Sequence, residues 1–136
     1  AQARLPAADL RVGDATTLPW DAGYFRLVIA STVFTSILDP EIRLQVAREI
    51  QRVLAQGGAL LWYDFRVDNP RNPDVRRVTK RELGELFPLL KGRSRTLTLA
   101  PPLCRVVAPW GWALPCLLET IPFLRTHLIA VLRKTS

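Results

Sequence analysis

Two apolar runs, "FRLVIAS" (Phe25–Ser31) and "ALLWYDF" (Ala59–Phe65), flank a stretch with the marks of a helix. That order constrains the fold more than any other feature of the chain. Both runs are short and almost continuously apolar, with β-branched Val28 and Ile29 in the first, and they read as strands buried on both faces, as in a parallel sheet. Between them, Asp39 suits an N-cap, Pro40 the first helical position, and Glu41 the electropositive first turn. Ile42, Val46, Ile50, Val53 and Leu54 recur at helical spacing as one apolar stripe. Gly57-Gly58 then reads as a left-handed C-terminal stop. A strand–helix–strand order of this kind predicts parallel pairing and an α/β fold.

The flanking segments extend the pattern. Upstream, "LRV" (Leu10–Val12) reads as a strand ended by Gly13, followed by the turn-rich "TTLPWDAGY". Asp14, taken alone, reads as the cap of a turn after Gly13. Downstream, "DNPRNPD" carries two Asn-Pro pairs and predicts a loop. Thr79 and Glu82 match a capping box that launches "TKRELGELF", with Leu83, Leu86, Phe87 and Leu90 on its buried side and Pro88 at its end. "SRTLTLA" (Ser94–Ala100) alternates like a strand with one wet face, and "HLIAVLRK" closes the chain as a buried strand with a basic tail.

Between those last two strands lies an aromatic and apolar insert, Pro101–Arg125. A membrane-spanning helix needs ~20 largely apolar residues. Arg105, Glu119 and five internal prolines argue against spanning here. A pocket lid, or a segment lying on a membrane surface, fits better. Trp110, Trp112 and Phe123 read either as core packing or as the lining of an apolar acceptor pocket.

Composition narrows the function classes. The chain has 136 residues, 49% of them hydrophobic and 23% charged, which suits one domain with one core and excludes a disordered composition. The net charge is +7, with a local basic cluster in "RVDNPRNPDVRRVTKR" (Arg66–Arg81). Such a cluster is either a solvated face or an attractor for an anionic substrate or for membrane headgroups. Nucleic acid is disfavoured, since no aromatic-interleaved basic motif or groove-reading helix is present in the pattern. Cys104, Cys116 and the single histidine, His127, are too few and too widely spaced for a zinc site. The cysteines read as two reduced, buried thiols, which predicts a cytoplasmic protein. The N-terminal "AQARLPAADLRVGD" lacks the basic-then-apolar order of a signal peptide. No Met occurs anywhere in the sequence, so residue 1 is not expected to be a natural beginning.

Three pieces now fall into one order: "GDATTLPWDAGYFRLVIAS", "REIQRVLAQGGALLWYD" and the closing "THLIAVLRK". Together they touch most of the chain, which resembles the later part of a class I S-adenosylmethionine-dependent methyltransferase of the small-molecule, methyltransferase type 11 kind. The resemblance implies a partial Rossmann-like sheet, mostly parallel with an antiparallel last strand and flanking helices. It also implies S-adenosyl-L-methionine as cofactor. In open α/β sheets ligands bind beyond the carboxyl ends of the strands, and the matching Asp of the family accepts from the adenine amine while the next backbone N–H meets a ring nitrogen. The resemblance therefore assigns those roles to Asp14 and Ala15, and the lining of the methionine portion to Ser31 and Thr32. Phe25-Arg26 departs from the family's usual Phe-Asp.

The family's first strand, with its Gly-rich cofactor loop, and its second strand, with its ribose-binding acid, have no counterpart in this sequence. Gly57-Gly58 follows a helix and precedes a strand, the reverse of the required order. The expectation is a C-terminal portion encoding half a cofactor site, with unpaired sheet edges open to a completing chain or to homo-oligomerisation. Methyl transfer needs in-line placement and sometimes a base; Tyr63 and Asp64 lie near a strand end, each with an equally good structural explanation. The resemblance thus implies methyl transfer to a small, apolar or lipid-like acceptor, with peripheral membrane contact compatible with the insert. Two rival readings stay open: a noncatalytic methyltransferase-like fragment or partner subunit, and a nicotinamide-dependent oxidoreductase of doubly wound type.

Overall fold

The computed structural model describes residue 7, residues 9–69 and residues 72–135, without the side chain of Pro102. Pro70 and Arg71, and most of the N-terminal stretch ahead of Asp9, lie outside the described residues. Four strands form one sheet: β1 (Phe25–Ser31), β2 (Leu54–Phe65), β3 (Leu90–Leu99) and β4 (Arg125–Lys134). Their spatial order is β1-β2-β4-β3. β1 and β2 run parallel, and β4 lies antiparallel between β2 and β3. The fold is therefore the α/β arrangement expected, with the last strand as the reversed one.

Helix α1 (Pro40–Val53) is the crossover between β1 and β2, and α2 (Lys80–Leu86) precedes β3. Asp39 caps α1 by accepting from Glu41 N and Ile42 N at 2.8 and 3.3 Å. Thr79 caps α2 by accepting from Glu82 N, but the Glu82 carboxylate turns away to pair with Arg43, so only half of the capping box forms. Both helices cover one face of the sheet. Val46, Ala47 and Ile50 of α1 and Leu83 and Leu86 of α2 pack on Leu60, Trp62, Leu128 and Ala130. Burying each such side chain contributes roughly 1.5–3 kcal/mol.

Several expectations are corrected. Leu10–Val12 is not a strand; Leu10 and Val12 are exposed and no described strand runs beside them. β1 is not buried on both faces, because only one side of it meets the helices; Leu27 and Ile29 on the other side are 54% and 61% exposed. Ile42 does not join the α1 stripe and is exposed, while Arg43 takes a buried place, held by Glu82 and the Ile37 carbonyl. Gly57-Gly58 does not end the helix, which stops at Val53; it lies within β2. There Gly57, at φ 71°, accompanies the register shift by which Phe25 pairs with Leu54 but Leu27 with Ala59. Cys116 is exposed and Cys104 half-buried, both as free thiols. β3 begins four residues earlier than the alternation suggested, and Gly92 explains how: a Cβ there would overlap the Val131 carbonyl oxygen.

The segment between β3 and β4 forms two short helices, α3 (Pro101–Val107) and α4 (Ala113–Glu119), with 3-10 turns after each. No helix among the described residues is long and apolar enough to cross a membrane.

Candidate functional site

The carboxyl ends of β1 and β2 and the start of β4 share one rim of the sheet, since Ser31 pairs with Tyr63 and Phe65 with His127. The segment after the Gly13–Ala15 turn, at Leu18 and Trp20, is held to the C-terminal end of α1 by a clamp that sequence reasoning missed. Glu49 of α1 accepts from Leu18 N at 2.8 Å, and Arg52 donates to the Trp20 and Leu18 carbonyls at 2.8 and 2.9 Å. Arg52 also pairs with Glu49 at 2.8 Å, and its hydrogen bond holds the Glu49 carboxyl below its usual range. The available signal was the Glu-x-x-Arg spacing on the solvent-side face of α1, which places both residues on one surface.

Within that turn, Asp14 Oδ1 accepts from Thr16 N at 2.8 Å and the Asp14 carbonyl accepts from Thr17 N at 3.1 Å. This is the turn cap that the residue suggests on its own. The Thr16 backbone N–H also holds the Asp14 carboxyl below its ordinary pKa. The Thr16 side chain adds a weaker hydrogen bond that lowers it further. Asp14 is exposed and borders a cavity of about 130 Å³ with Gly13, Ala15, Leu18 and Trp20. Ala15, Leu18 and Trp20 also line a neighbouring cavity of about 230 Å³, whose other walls include Val28, Ala30, Val33 and Ile50. Arg11 and Pro19 complete the smaller cavity, with the Arg11 guanidinium 5.0 Å over the Trp20 ring, so an exposed carboxylate and a cation both border the recess.

Ser31 and Thr32 stand at the tip of β1, both exposed. They do not line either recess; Ala30 and Val33, on either side of them, line the larger. Thr32 adopts a left-handed φ of 52°, uncommon for a β-branched residue. It is held there by Thr32 N donating to the Tyr63 carbonyl at 2.8 Å and by Oγ1 donating to the Ser31 carbonyl at 2.8 Å. The structure therefore brings Asp14 and Ala15 to one cavity and leaves Ser31 and Thr32 beside it.

The two residues weighed as bases separate clearly. Asp64 is fully buried, and its carboxylate accepts from Phe34 N, Thr35 N, Thr35 Oγ1 and Phe65 N at 2.5–3.2 Å. With four donors it anchors the 3-10 turn Phe34–Ser36 to the end of β2, and no oxygen faces the rim. Tyr63 points to the opposite side of the sheet, its hydroxyl 3.1 Å from Thr98 Oγ1. His127 stacks on Tyr63 with ring centroids 4.9 Å apart and touches Phe65 at 4.1 Å. Burial lowers the His127 pKa, partly offset by the Asp64 charge. Sequence reasoning considered His127 only as a metal ligand, and among the described residues no group of three His, Cys, Asp or Glu could hold a metal.

Trp110, Trp112 and Phe123 are 83%, 82% and 78% exposed. At that exposure they do not pack in the core, and that expectation for them is corrected.

Comparison with known proteins shows what this chain resembles. Residues 1–62 match the family described as "Methyltransferase domain". No curated protein matches the chain. Among solved structures, the cyclase SpnF is similar at 18% identity and a TM-score of 0.64, over 92% of this chain and 55% of that one. A SAM-dependent methyltransferase from Methanosarcina mazei is similar at 16% identity and 0.63, over 92% of this chain and 66% of that one. The Burkholderia thailandensis 1,6-didemethyltoxoflavin-N1-methyltransferase, solved with its substrate and S-adenosylhomocysteine, is similar at 16% and 0.58, over 90% and 48%. The chain thus spans about half to two thirds of the length of these relatives. A cyclase among them illustrates that this fold alone does not determine a reaction. Residues 1–62 thus resemble the methyltransferase domain family, and the sheet order with its reversed last strand is the fold of the methyltransferase structures it resembles, of which this chain spans a part.

Proposed function

We propose that the chain contributes to S-adenosylmethionine-dependent methyl transfer to a small, apolar or lipid-like acceptor. The observation that carries this reading is Asp14: its exposed carboxylate, held by Thr16, borders a small recess together with Ala15. That arrangement fits the nucleobase of the cofactor, whose exocyclic amine is a donor and whose ring faces are apolar. The Asp14 carboxylate and the Ala15 N–H would take the adenine edge, and Ser31 and Thr32 would border the methionine portion. The cofactor supplies the transferable methyl group. The chain's own residues bind and orient it, with the Glu49–Arg52 clamp fixing Leu18 and Trp20, the segment that follows the Gly13–Ala15 turn, to α1. The rest of the cradle, including a Gly-rich loop, would come from sequence outside these 136 residues.

Asp64 does not stand ready as a base, because four donors consume its carboxylate. The reading therefore rests on placement of the acceptor. The exposed tryptophans of the 101–125 insert support an apolar acceptor, a peripheral membrane contact, or both. Free thiols at Cys104 and Cys116 suit a reducing, cytoplasmic setting.

A noncatalytic role as a partner subunit is favoured by one observation: the edge strand β1 and the exposed Leu27 and Ile29 are open to another chain. Calorimetric titration of S-adenosylhomocysteine into this chain and into a version extended upstream separates the two readings. Saturable binding by the extended form, and weak or no binding by the short one, is the expected result. No binding by either would leave the noncatalytic role standing.

A further inference from the structure

A second cavity, of about 300 Å³, lies where β2, α2, β3 and β4 meet, and it is lined by Arg66, Arg77, Thr79, Lys80, Thr96 and Leu128. Three cations and two hydroxyls converge there, and no carboxylate is among the lining residues. Each cation has capacity to spare. Arg66 Nη1 donates to the Arg125 carbonyl at 2.9 Å, which leaves Nε and Nη2 without a partner among the described residues. Arg77 meets Asp68 at 3.4 Å, with both side chains more than half exposed, so that pair is loose and solvent-screened. Lys80 has no hydrogen-bond or ion-pair partner among the described residues. Thr79 Oγ1 accepts from Glu82 N and keeps its hydroxyl hydrogen to give.

Lys80 also borders a larger groove of about 770 Å³ between α2 and β3, with Lys91, Arg93 and Arg95 on its far side. Those three cations alternate along an edge strand, and alternating charge there is explained by protection against edge-to-edge pairing. That explanation does not reach Arg66, Arg77 or Lys80. They come from the end of β2, the loop after it and the first turn of α2, and none belongs to an edge strand.

We propose that the Arg66–Arg77–Lys80 cavity binds a phosphoryl group, as a phosphomonoester or a diphosphate. Three converging cations match a group of two or more negative charges better than a single carboxylate. Guanidinium forks and a hydroxyl donor match tetrahedral oxygens. The bearer is either a soluble organophosphate or the headgroup of a phosphorylated lipid. The inference stands on the cavity alone and does not need the methyl-transfer reading.

Titration of inorganic pyrophosphate into the chain at low ionic strength should give saturable binding. A parallel arm uses sedimentation with phosphatidylcholine vesicles that contain or lack phosphatidic acid. Lys80→Ala should weaken binding about tenfold, as loss of one charge-assisted contact predicts. Arg133→Ala, an exposed arginine outside the cavity, should leave it within about twofold, since it removes only long-range attraction. Thr96→Val, which removes a hydroxyl without altering charge, should also weaken it. Pyrophosphate binding that is lost in Lys80→Ala supports the site and a soluble bearer. Binding of phosphatidic acid vesicles alone, again lost in Lys80→Ala, supports the site with a lipid bearer. Absence of binding in both arms, or equal losses in Lys80→Ala and Arg133→Ala, would overturn the proposal.

Discussion

Replacing Asp64 by Asn separates a structural carboxylate from a chemical one. The side chain is fully buried, and its two oxygens divide four donors: Phe34 N and Thr35 N on Oδ2, Thr35 Oγ1 and Phe65 N on Oδ1. An amide has one acceptor oxygen and one donor nitrogen. Its better orientation keeps the oxygen on the Phe34 and Thr35 amides and turns the nitrogen toward Thr35 Oγ1, whose hydroxyl can rotate to accept. Phe65 N–H then faces an N–H and loses its partner. An unsatisfied buried donor costs ~1–3 kcal/mol, and the surviving bonds lose their charge assistance, so the loss should total about 2–4 kcal/mol. Urea unfolding should show that loss as a lower midpoint with an unchanged slope. Native-state hydrogen exchange should show faster exchange at Phe34 and Thr35 than in the unsubstituted chain. A loss below about 1 kcal/mol would refute the reasoning, because four real hydrogen bonds to a buried carboxylate cannot be that cheap to disturb.

Two further perturbations test other parts of the structure. Lys134 Nζ donates to the Gln51 and Leu54 carbonyls at 2.6 and 2.8 Å, capping the end of α1 with a cation, so Lys134→Met should cost about 1–3 kcal/mol in chemical unfolding. His127 has a pKa lowered by burial, so the unfolded chain binds its proton more readily than the folded one. Its contribution is therefore fully present above about pH 6.5 and declines as pH falls through the folded value. Stability measured from pH 7.5 to 5 should fall less steeply in His127→Gln than in the unsubstituted chain; parallel curves would contradict this.

The sheet was legible because its strands and crossover helix announce themselves independently. The Asp39-Pro40-Glu41 start of α1 depends on local chemistry alone, and the apolar runs at β1, β2 and β4 survive any context. What failed depended on neighbours. A run such as "FRLVIAS" looks the same whether one face of its strand is covered or both, and only the packing shows that Leu27 and Ile29 face solvent. Arg43 carries a charge that suggests exposure, yet it is buried because Glu82, from another helix, arrives to pair with it. The same limit applies to the site. Asp14 was legible as a turn cap, whereas the Glu49–Arg52 clamp spans 31 residues or more to Leu18 and leaves only a faint helical spacing. The Arg66–Arg81 cluster was visible as charge, but Thr96 reaches its cavity from a different strand.

The most direct test of the Asp14 reading compares two ligands across two proteins. S-adenosylhomocysteine and S-inosylhomocysteine differ at the exocyclic position, where an amine donor becomes an oxygen acceptor. Their affinities should be measured for the upstream-extended protein and for its Asp14→Ala variant. The inosine compound also gains a hydrogen at N1, which the Ala15 N–H would oppose in both proteins. If Asp14 reads the amine, the unsubstituted protein prefers the adenine compound by about tenfold or more, and the variant loses the part of that preference owed to the amine. Equal preference in both proteins would contradict the account and return Asp14 to the Thr16 turn as a cap and nothing else.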